Sequence, residues 1–373
     1  MPRVHLVTGA TGFVGSALVL ELLRETDDFV VCVARPADDA AEASRRVHAA
    51  LAVAARGSEQ EQLLERARGR LRAVPGDLLS ERCGVRADRV GRVDEVWHAA
   101  ATLRFEAVQR DWIFAHNLGG TREMLALADV LGASRFNYVS TAYVSGARTG
   151  HIPEELAPRD GRVNNAYEES KVQAEHLVAE SGLAYRILRP SIVIGYSKTC
   201  AAGSDDGFYG YLRKLAALRR LAQRKGQLAD LARARLHGDP EAPLHLIPVD
   251  AVARNAVRIS LSSSAQHVFH LVNAAPPCVG DVSAAIGRRL GLDGPRVGLS
   301  DGPDPSPYDG AFSEHMSFFT AYLERTRQFC QQNTDAAIGR EASWWPLDAE
   351  GLERYIDRFL RDLRAAPAQP RSR

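Results

Sequence analysis

The chain has 373 residues, 45% of them hydrophobic, and its 47 Lys and Arg against 46 Asp and Glu leave a formal charge of +1. This balance gives no sign of an extreme surface field or of a nucleic-acid partner, while the length supports a large α/β domain or two unequal lobes. The cysteines, Cys32, Cys83, Cys200, Cys278 and Cys330, form no C-x-x-C pair, which argues against a metal site or disulfide framework and fits a reducing cytosol.

The N-terminus, MPRVHLVTGATG, runs directly into an apolar stretch and a glycine turn, with no leader-like segment and no 18-residue apolar run further on. A cytoplasmic protein without a membrane span is expected. VHLVTGA reads as a strand and FVGSALVLELLRE as a helix. Between them TGATGFVG spaces Gly9, Gly12 and Gly15 as G-x-x-G-x-x-G. Glycines there allow a tight turn, close approach to a pyrophosphate, and phosphate binding at a helix N-terminus. This predicts a dinucleotide site built from Thr8, Gly9, Thr11, Gly12, Phe13, Val14 and Gly15; a purely structural turn is the alternative.

FVVCVA is the second strand. NAD readers place an acid at the end of this strand for the ribose hydroxyl. Here the strand ends at Ala34–Arg35. A guanidinium pairs bidentately with phosphate, so Arg35 points to NADPH. A solvated loop arginine is the alternative, and Asp38 and Asp39 weigh against the reading. Residues 37–72 look like a helical insertion. LRAVPGDL is the third strand; Asp77, with Leu78, suits an adenine amino group or simply a turn. DEVWHAAA is the fourth, where the small residues Ala99, Ala100 and Ala101 admit either cofactor or close packing. FAHNLGGT opens a helix. Asn117 on it is placed to hold a proton-relaying water, or is a satisfied structural amide.

RFNYVSTAYVSG is the fifth strand and its turn, with Ser140, Thr141 and Tyr143 at the end. NAYEESK then sets Tyr167 and Lys171 four apart on a helix, facing the same way. An ammonium about 4 Å from a phenol contributes roughly 4 kcal/mol at an effective dielectric near 20, about three pKa units before screening. That suits a phenol working as acid or base. Thr141 would donate to a substrate oxygen beside it; a turn-capping hydroxyl is the alternative.

AYRILRPSIVIG is a further strand-like run. Strand–helix alternation of this kind predicts an α/β fold with a doubly wound, mostly parallel Rossmann sheet. The expected division gives 1–195 to that domain, with 244–275 (HLIPVDAVARNAV and HVFHLVNA) returning to it. A smaller, mainly helical lobe takes 196–243 and 276–365, and 366–373 is a disordered tail. From Tyr211 to Leu236 there are eight Lys and Arg and one acid, Asp230, with an apolar stripe expected at Leu212, Leu215, Leu218 and Leu221. Such a helix suits an anionic partner or is a solvated lid. Trp344 and Trp345 are expected to be core or lobe-packing residues.

These motifs in this order resemble the extended short-chain dehydrogenase/reductases. TGATGFVG, HAAATLRF, NLGGTREMLALA, VSTAYVSG, NAYEESKVQAEHLV, RILRPSIVIG and HLIPVDAVA together are similar to the fatty acyl-CoA reductase and thioester reductase (male-sterility-type) branch. The resemblance runs from about residue 4 to 275 and faintly to RQFCQQNTDAAIG. It implies catalytic roles for Thr141, Tyr167 and Lys171. It implies nicotinamide contacts from the small residues and from Pro190, Ser191, Ile192 and Val193, and it implies NADPH. It further implies reduction of an acyl thioester, on coenzyme A or a carrier protein, to an aldehyde; a second hydride transfer would give an alcohol. A nucleotide-sugar epimerase or dehydratase uses the same trio but prefers an acid where Arg35 stands. A non-catalytic NADP-binding scaffold has no need of the tuned phenol.

Overall fold

Short apolar runs buried on both faces build the centre of the molecule. In the computed structural model, which describes residues 2–36, 38–104, 107–204, 207–292, 296–298, 306–310 and 320–365, they form a seven-stranded sheet. The expected tail at 366–373 lies outside the described residues.

The strands are β1 (Val4–Thr8), β2 (Phe29–Ala34), β3 (Leu71–Pro75), β4 (Glu95–His98), β5 (Arg135–Val139), β6 (Ala184–Pro190) and β7 (Val268–Leu271). Their order is β7-β6-β5-β4-β1-β2-β3, and every pairing is parallel. This is the doubly wound Rossmann sheet expected from the alternation. The order reverses between β1 and β4, where Val7 pairs with both Cys32 and Trp97. Ligands of open α/β sheets bind beyond the carboxyl ends of strands at such a switch point.

By contact the chain divides into two units: Met1–Val193 with Ile247–Ala274 and Arg327–Trp344, and Ile194–Leu246 with Ala275–Thr326 and Trp345–Arg373. In the first, helices α1 (Phe13–Glu25), α2 (Ala40–Ser58), α3 (Gly120–Val130), α4 (Ala166–Ala179) and α5 (Val249–Leu261) cover the sheet. On one side Phe136, Tyr138, Val96 and Leu6 pack with Met124 and Leu127 of α3 and Ala174 and Val178 of α4. Elsewhere α5 packs on α1. The short strand Leu246–Pro248 lies outside the seven-stranded sheet and leads into α5.

The segment Arg327–Trp344, which the expected division placed in the second lobe, clusters with the first unit. Its strand Arg327–Phe329 pairs in parallel with Gly150–Ile152. Glu154 then ties it down. Its carboxylate accepts from His270 N at 2.7 Å, Thr334 Oγ1 at 2.6 Å and Asn333 N at 2.5 Å. Beside it Arg189 and Glu175, each at most 1% exposed, form a bidentate pair at 2.8 and 2.6 Å.

In the second unit the helix Gly207–Lys225 buries Phe208, Tyr209, Tyr211, Leu212, Leu215, Ala216 and Ala222. Only Leu212 and Leu215 of the expected leucine stripe are fully buried; Leu221 is 43% exposed because the buried arc turns toward the aromatic residues of the first turn. Val279–Leu290 packs against Ala349–Ala365, with Arg288 bonded to Glu353 at 2.7 Å and Arg289 to Asp357 at 2.6 Å. Trp344, expected in the core or packed in the lobe, is 60% exposed, since it ends a short turn at the close of the first unit's last segment.

Candidate active site

The glycine turn is shaped by contacts that exclude side chains. Gly9 sits at φ 77°, and a Cβ there would lie 2.7 Å from Ala100 N. A Cβ on Gly15 would lie 2.1 Å from Gly9 O. Gly12 N donates to Gly9 O at 2.8 Å, closing the turn before α1. Thr11, Gly12, Phe13 and Val14 stay accessible at the helix N-terminus, where backbone N–H groups and the helix dipole favour a phosphate. Thr8, at the end of β1, is buried, and its carbonyl accepts from Ala99 N. Ala99 and Ala100 therefore lie against the glycine turn, whereas Ala101 is exposed. Leu78 packs on Gly120 of α3, and Asp77 accepts from Leu79 N at 3.1 Å. Ser191 is buried after β6 and its hydroxyl has no hydrogen-bond partner; Pro190 is buried before it, and Ile192 and Val193 are half-buried. The whole set belongs to the first unit. A cradle too tight for any Cβ, a helix N-terminus and an unsatisfied hydroxyl fit a dinucleotide.

Arg35 is exposed after β2, and its carbonyl accepts from Arg46 Nη1 at 3.1 Å. Arg46 was not among the residues the sequence singled out. Its signal was its helical setting eleven positions on, within an Arg- and Ala-rich segment that offers many equivalent cations.

The proposed catalytic residues come from β5 and α4. Asn165 caps α4 by accepting from Glu168 N at 2.9 Å, and Glu168 reaches back to accept from Asn164 N at 2.8 Å, a capping-box pattern displaced by one residue. This starts the helix so that Tyr167 and Lys171 fall on its buried side. Lys171 is 1% exposed; its Nζ donates to Val139 O at 2.7 Å and lies 4.2 Å from the Tyr138 ring centroid. It thus sits at the carboxyl end of β5, two residues before Thr141. Thr141 Oγ1 accepts from Tyr143 N at 3.2 Å, which leaves its hydrogen to donate. Thr141 is therefore a turn-capping hydroxyl in this structure, and the cap fixes where it points. Ser140 is buried at the same strand end, and its hydroxyl has no hydrogen-bond partner.

The electrostatics differ from the simple expectation of a lysine-lowered phenol. Burial, with the Glu168 carboxylate nearby, pushes Tyr167 well above its ordinary value. The same burial pulls Lys171 down from 10.5 to about 7, against the upward pull of Glu175. Desolvation is the largest cause for both groups and sets the direction of each.

Asn117 lies in a π turn, Ala115–Gly119, between the helical turn Arg110–Phe114 and α3. Single π turns inside helices recur at functional sites. Its side chain is satisfied: Oδ1 accepts from Thr102 N at 2.8 Å, and Nδ2 donates to Ser170 Oγ at 3.0 Å and to Thr102 O at 3.3 Å. It thus joins the loop after β4 to α4 by way of Ser170, which the sequence reading passed over. From the far end of the chain, Arg327 donates to Gly146 O at 3.1 Å and braces the turn that follows Thr141. Among the described residues no cluster of His, Cys, Asp and Glu could hold a metal, and no helix is long and apolar enough to cross a membrane.

The profile of the male sterility protein family, an NAD-binding family, matches residues 7–256. The chain belongs to that family. It is similar to the branch of the extended short-chain dehydrogenase/reductases that holds thioester reductase domains and fatty acyl-CoA reductases. It is 28% identical over 313 residues to a linear gramicidin synthase from Brevibacillus parabrevis, covering 80% of this chain and 6% of that one. It is 33% identical over 223 residues to the isonitrile lipopeptide synthase of Streptomyces coeruleorubidus, covering 57% of this chain and 14% of that one. The chain thus spans a small part of these relatives. The terminal R domain of the myxalamid PKS-NRPS pathway superposes with a TM-score of 0.75 at 26% identity, covering 97% and 91% of the two chains. The likeness to that R domain therefore extends over both units.

Proposed function

We propose that the protein reduces an acyl thioester to an aldehyde with NADPH, the acyl group arriving on coenzyme A or a separate carrier protein. The observation that supports this is Lys171 of α4 donating to Val139 O, two residues before Thr141, with Tyr167 one turn earlier on the buried side of α4, in the same unit as the glycine cradle. Bound NADPH would supply the hydride. Thr141 donates to the substrate carbonyl oxygen and Tyr167 protonates it as the carbonyl carbon is reduced. Breaking the C–S bond of the resulting hemithioacetal releases aldehyde and thiol. Lys171, anchored on Val139 O, would hold a proton for the ribose of a bound cofactor and for the phenol. Arg35, with Arg46 against its carbonyl, would pair with the 2′-phosphate and favour NADPH over NADH.

The carrier reading has its own support. On the helix Gly207–Lys225, Lys214, Arg220, Arg224 and Lys225 are exposed around Leu221, and the helix carries no acid. An acidic helix of a carrier protein complements such a face. All the cysteines are free, in keeping with a cytoplasmic setting. The test is NADPH oxidation against panels of acyl-coenzyme A, acyl-carrier and free aldehyde substrates, with products identified. Aldehyde and free thiol from a thioester are the expected result. Turnover of aldehydes alone, or of nucleotide sugars without net cofactor oxidation, would overturn the reading.

A further inference from the structure

A row of hydrogen bonds crosses from the glycine turn to the π turn through one imidazole. Ala100 N donates to Thr8 Oγ1 at 3.4 Å, and Thr8 Oγ1 lies 2.7 Å from His98 Nδ1. His98 Nε2 lies 3.2 Å from Thr121 Oγ1, which is 2.6 Å from Asn117 O. Thr8, His98 and Thr121 are all buried.

The contacts decide where each proton sits. Two oxygens 2.6 Å apart need a hydrogen between them, and the Asn117 carbonyl has none, so the Thr121 hydroxyl donates. Its oxygen is then left to accept, so His98 Nε2 carries the imidazole proton. His98 Nδ1 is a bare lone pair, so Thr8 donates to it. The Thr8 oxygen in turn accepts from Ala100. Within the row each hydroxyl gives once and receives once, and the row runs in a single direction; the Tyr138 hydroxyl also faces the Thr121 oxygen.

We propose that His98 is a positioning residue that, as the neutral Nε2–H tautomer, sets the spacing between the glycine turn at Gly9 and the π turn at Asn117. Both turns border the proposed dinucleotide site, and the inference rests on that reading. The surroundings keep the ring neutral. Phe136 and Tyr138 of β5 pack on it with centroids at 5.9 and 5.8 Å, Thr8 and Thr121 face its nitrogens, and the nearby charge is Lys171. Burial and that ammonium hold the imidazole down to about 3. A second proton, on Nδ1, would force Thr8 to accept from the ring and leave its own hydrogen facing the Ala100 N–H.

Two measurements on the intact protein test this. Nitrogen-15 NMR of histidine-labelled protein without cofactor should show His98 as the Nε2–H tautomer, untitrated from about pH 5 to about pH 9. An Nδ1–H or doubly protonated ring in that range would overturn the proposal. In parallel, NADPH is titrated by protein fluorescence into His98→Phe and His98→Gln, with melting temperatures recorded. Phe keeps the ring and loses both links; binding should weaken about tenfold, as expected when two binding segments lose their registration. Gln reaches the Nε2 position and can donate to Thr121, so it should recover part of the loss. Unchanged affinity in a folded Phe variant overturns the idea. Should that variant not fold, Thr121→Val removes the acceptor of Nε2–H and must weaken NADPH in the same way. Wild-type protein that binds no NADPH would instead remove the cofactor reading, while the tautomer measurement would still decide the row.

Discussion

Replacing Lys171 with Met should make the protein more stable in acid while removing its activity. The amine is 1% exposed, and burial takes it from 10.5 to about 7. Each unit is worth about 1.4 kcal/mol, so holding the ammonium in the folded state below pH 7 costs on the order of 5 kcal/mol. Met has a similar apolar stem and removes that cost. It also removes the bond to Val139 O, a charge-assisted bond worth roughly 1.5–3 kcal/mol. The variant should therefore lead by roughly 2 kcal/mol or more below about pH 7.

The lead should shrink as pH rises. The unfolded lysine keeps its proton up to 10.5, whereas the folded one gives it up from about 7. Between those values the unfolded state binds more protons, so wild-type stability gains on the variant by about 1.4 kcal/mol per pH unit. Urea unfolding of both proteins in parallel at about pH 6, 7, 8 and 9 isolates this, because every other group titrates in both. Two curves separated by a constant offset would refute the account, since they would mean the amine is not desolvated.

Arg35→Asp should weaken NADPH selectively and leave NADH near its original affinity, with Arg46→Ala a smaller effect in the same direction; equal loss of both cofactors in binding titrations would show that neither reads the 2′-phosphate. Tyr167→Phe should abolish reduction with NADPH binding kept, and near wild-type turnover would remove it as the acid. Thr141→Val should lower turnover about 10²–10³-fold at little cost in stability, with Thr141→Ser recovering much of it and Ser140→Ala costing far less; steady-state rates of the three on one substrate check the order. Arg189→Met should destabilise by about 3–5 kcal/mol in urea, because it strands the Glu175 carboxylate, while a loss under 1 kcal/mol would mean the pair is solvated.

What the chain shows to a reader depends on how local each signal is. The parallel sheet was legible because β1, β2, β4 and β5 are apolar runs each followed by helix-like sequence, and such alternation leaves few topologies. The glycine spacing was legible because the physical demand falls on the residues themselves: no side chain fits at Gly9 or Gly15. The π turn at Ala115–Gly119 was not, since FAHNLGGT reads as ordinary helix and the extra residue is absorbed only when α3 is docked. Nor was the strand Arg327–Phe329, too short to show a period and paired with residues far earlier in the chain.

The charge state of the proposed catalytic pair was the least legible feature, and the reason is physical. From Tyr167 and Lys171 four apart on a helix, pair attraction alone predicts a lowered phenol. Desolvation comes from what packs around the pair, Tyr138 under the amine among it, and the Glu168 carboxylate beside the phenol adds to the rise there. Those neighbours come from another strand and from the helix's own cap, and they reverse the sign for the phenol. Below about pH 7 the ammonium is held at an energetic cost that a partner in the proposed cofactor and substrate site can relieve. The unliganded protein therefore stores in Lys171 the same free energy that the Met variant should release, which ties the stability experiment to the proposed catalytic role.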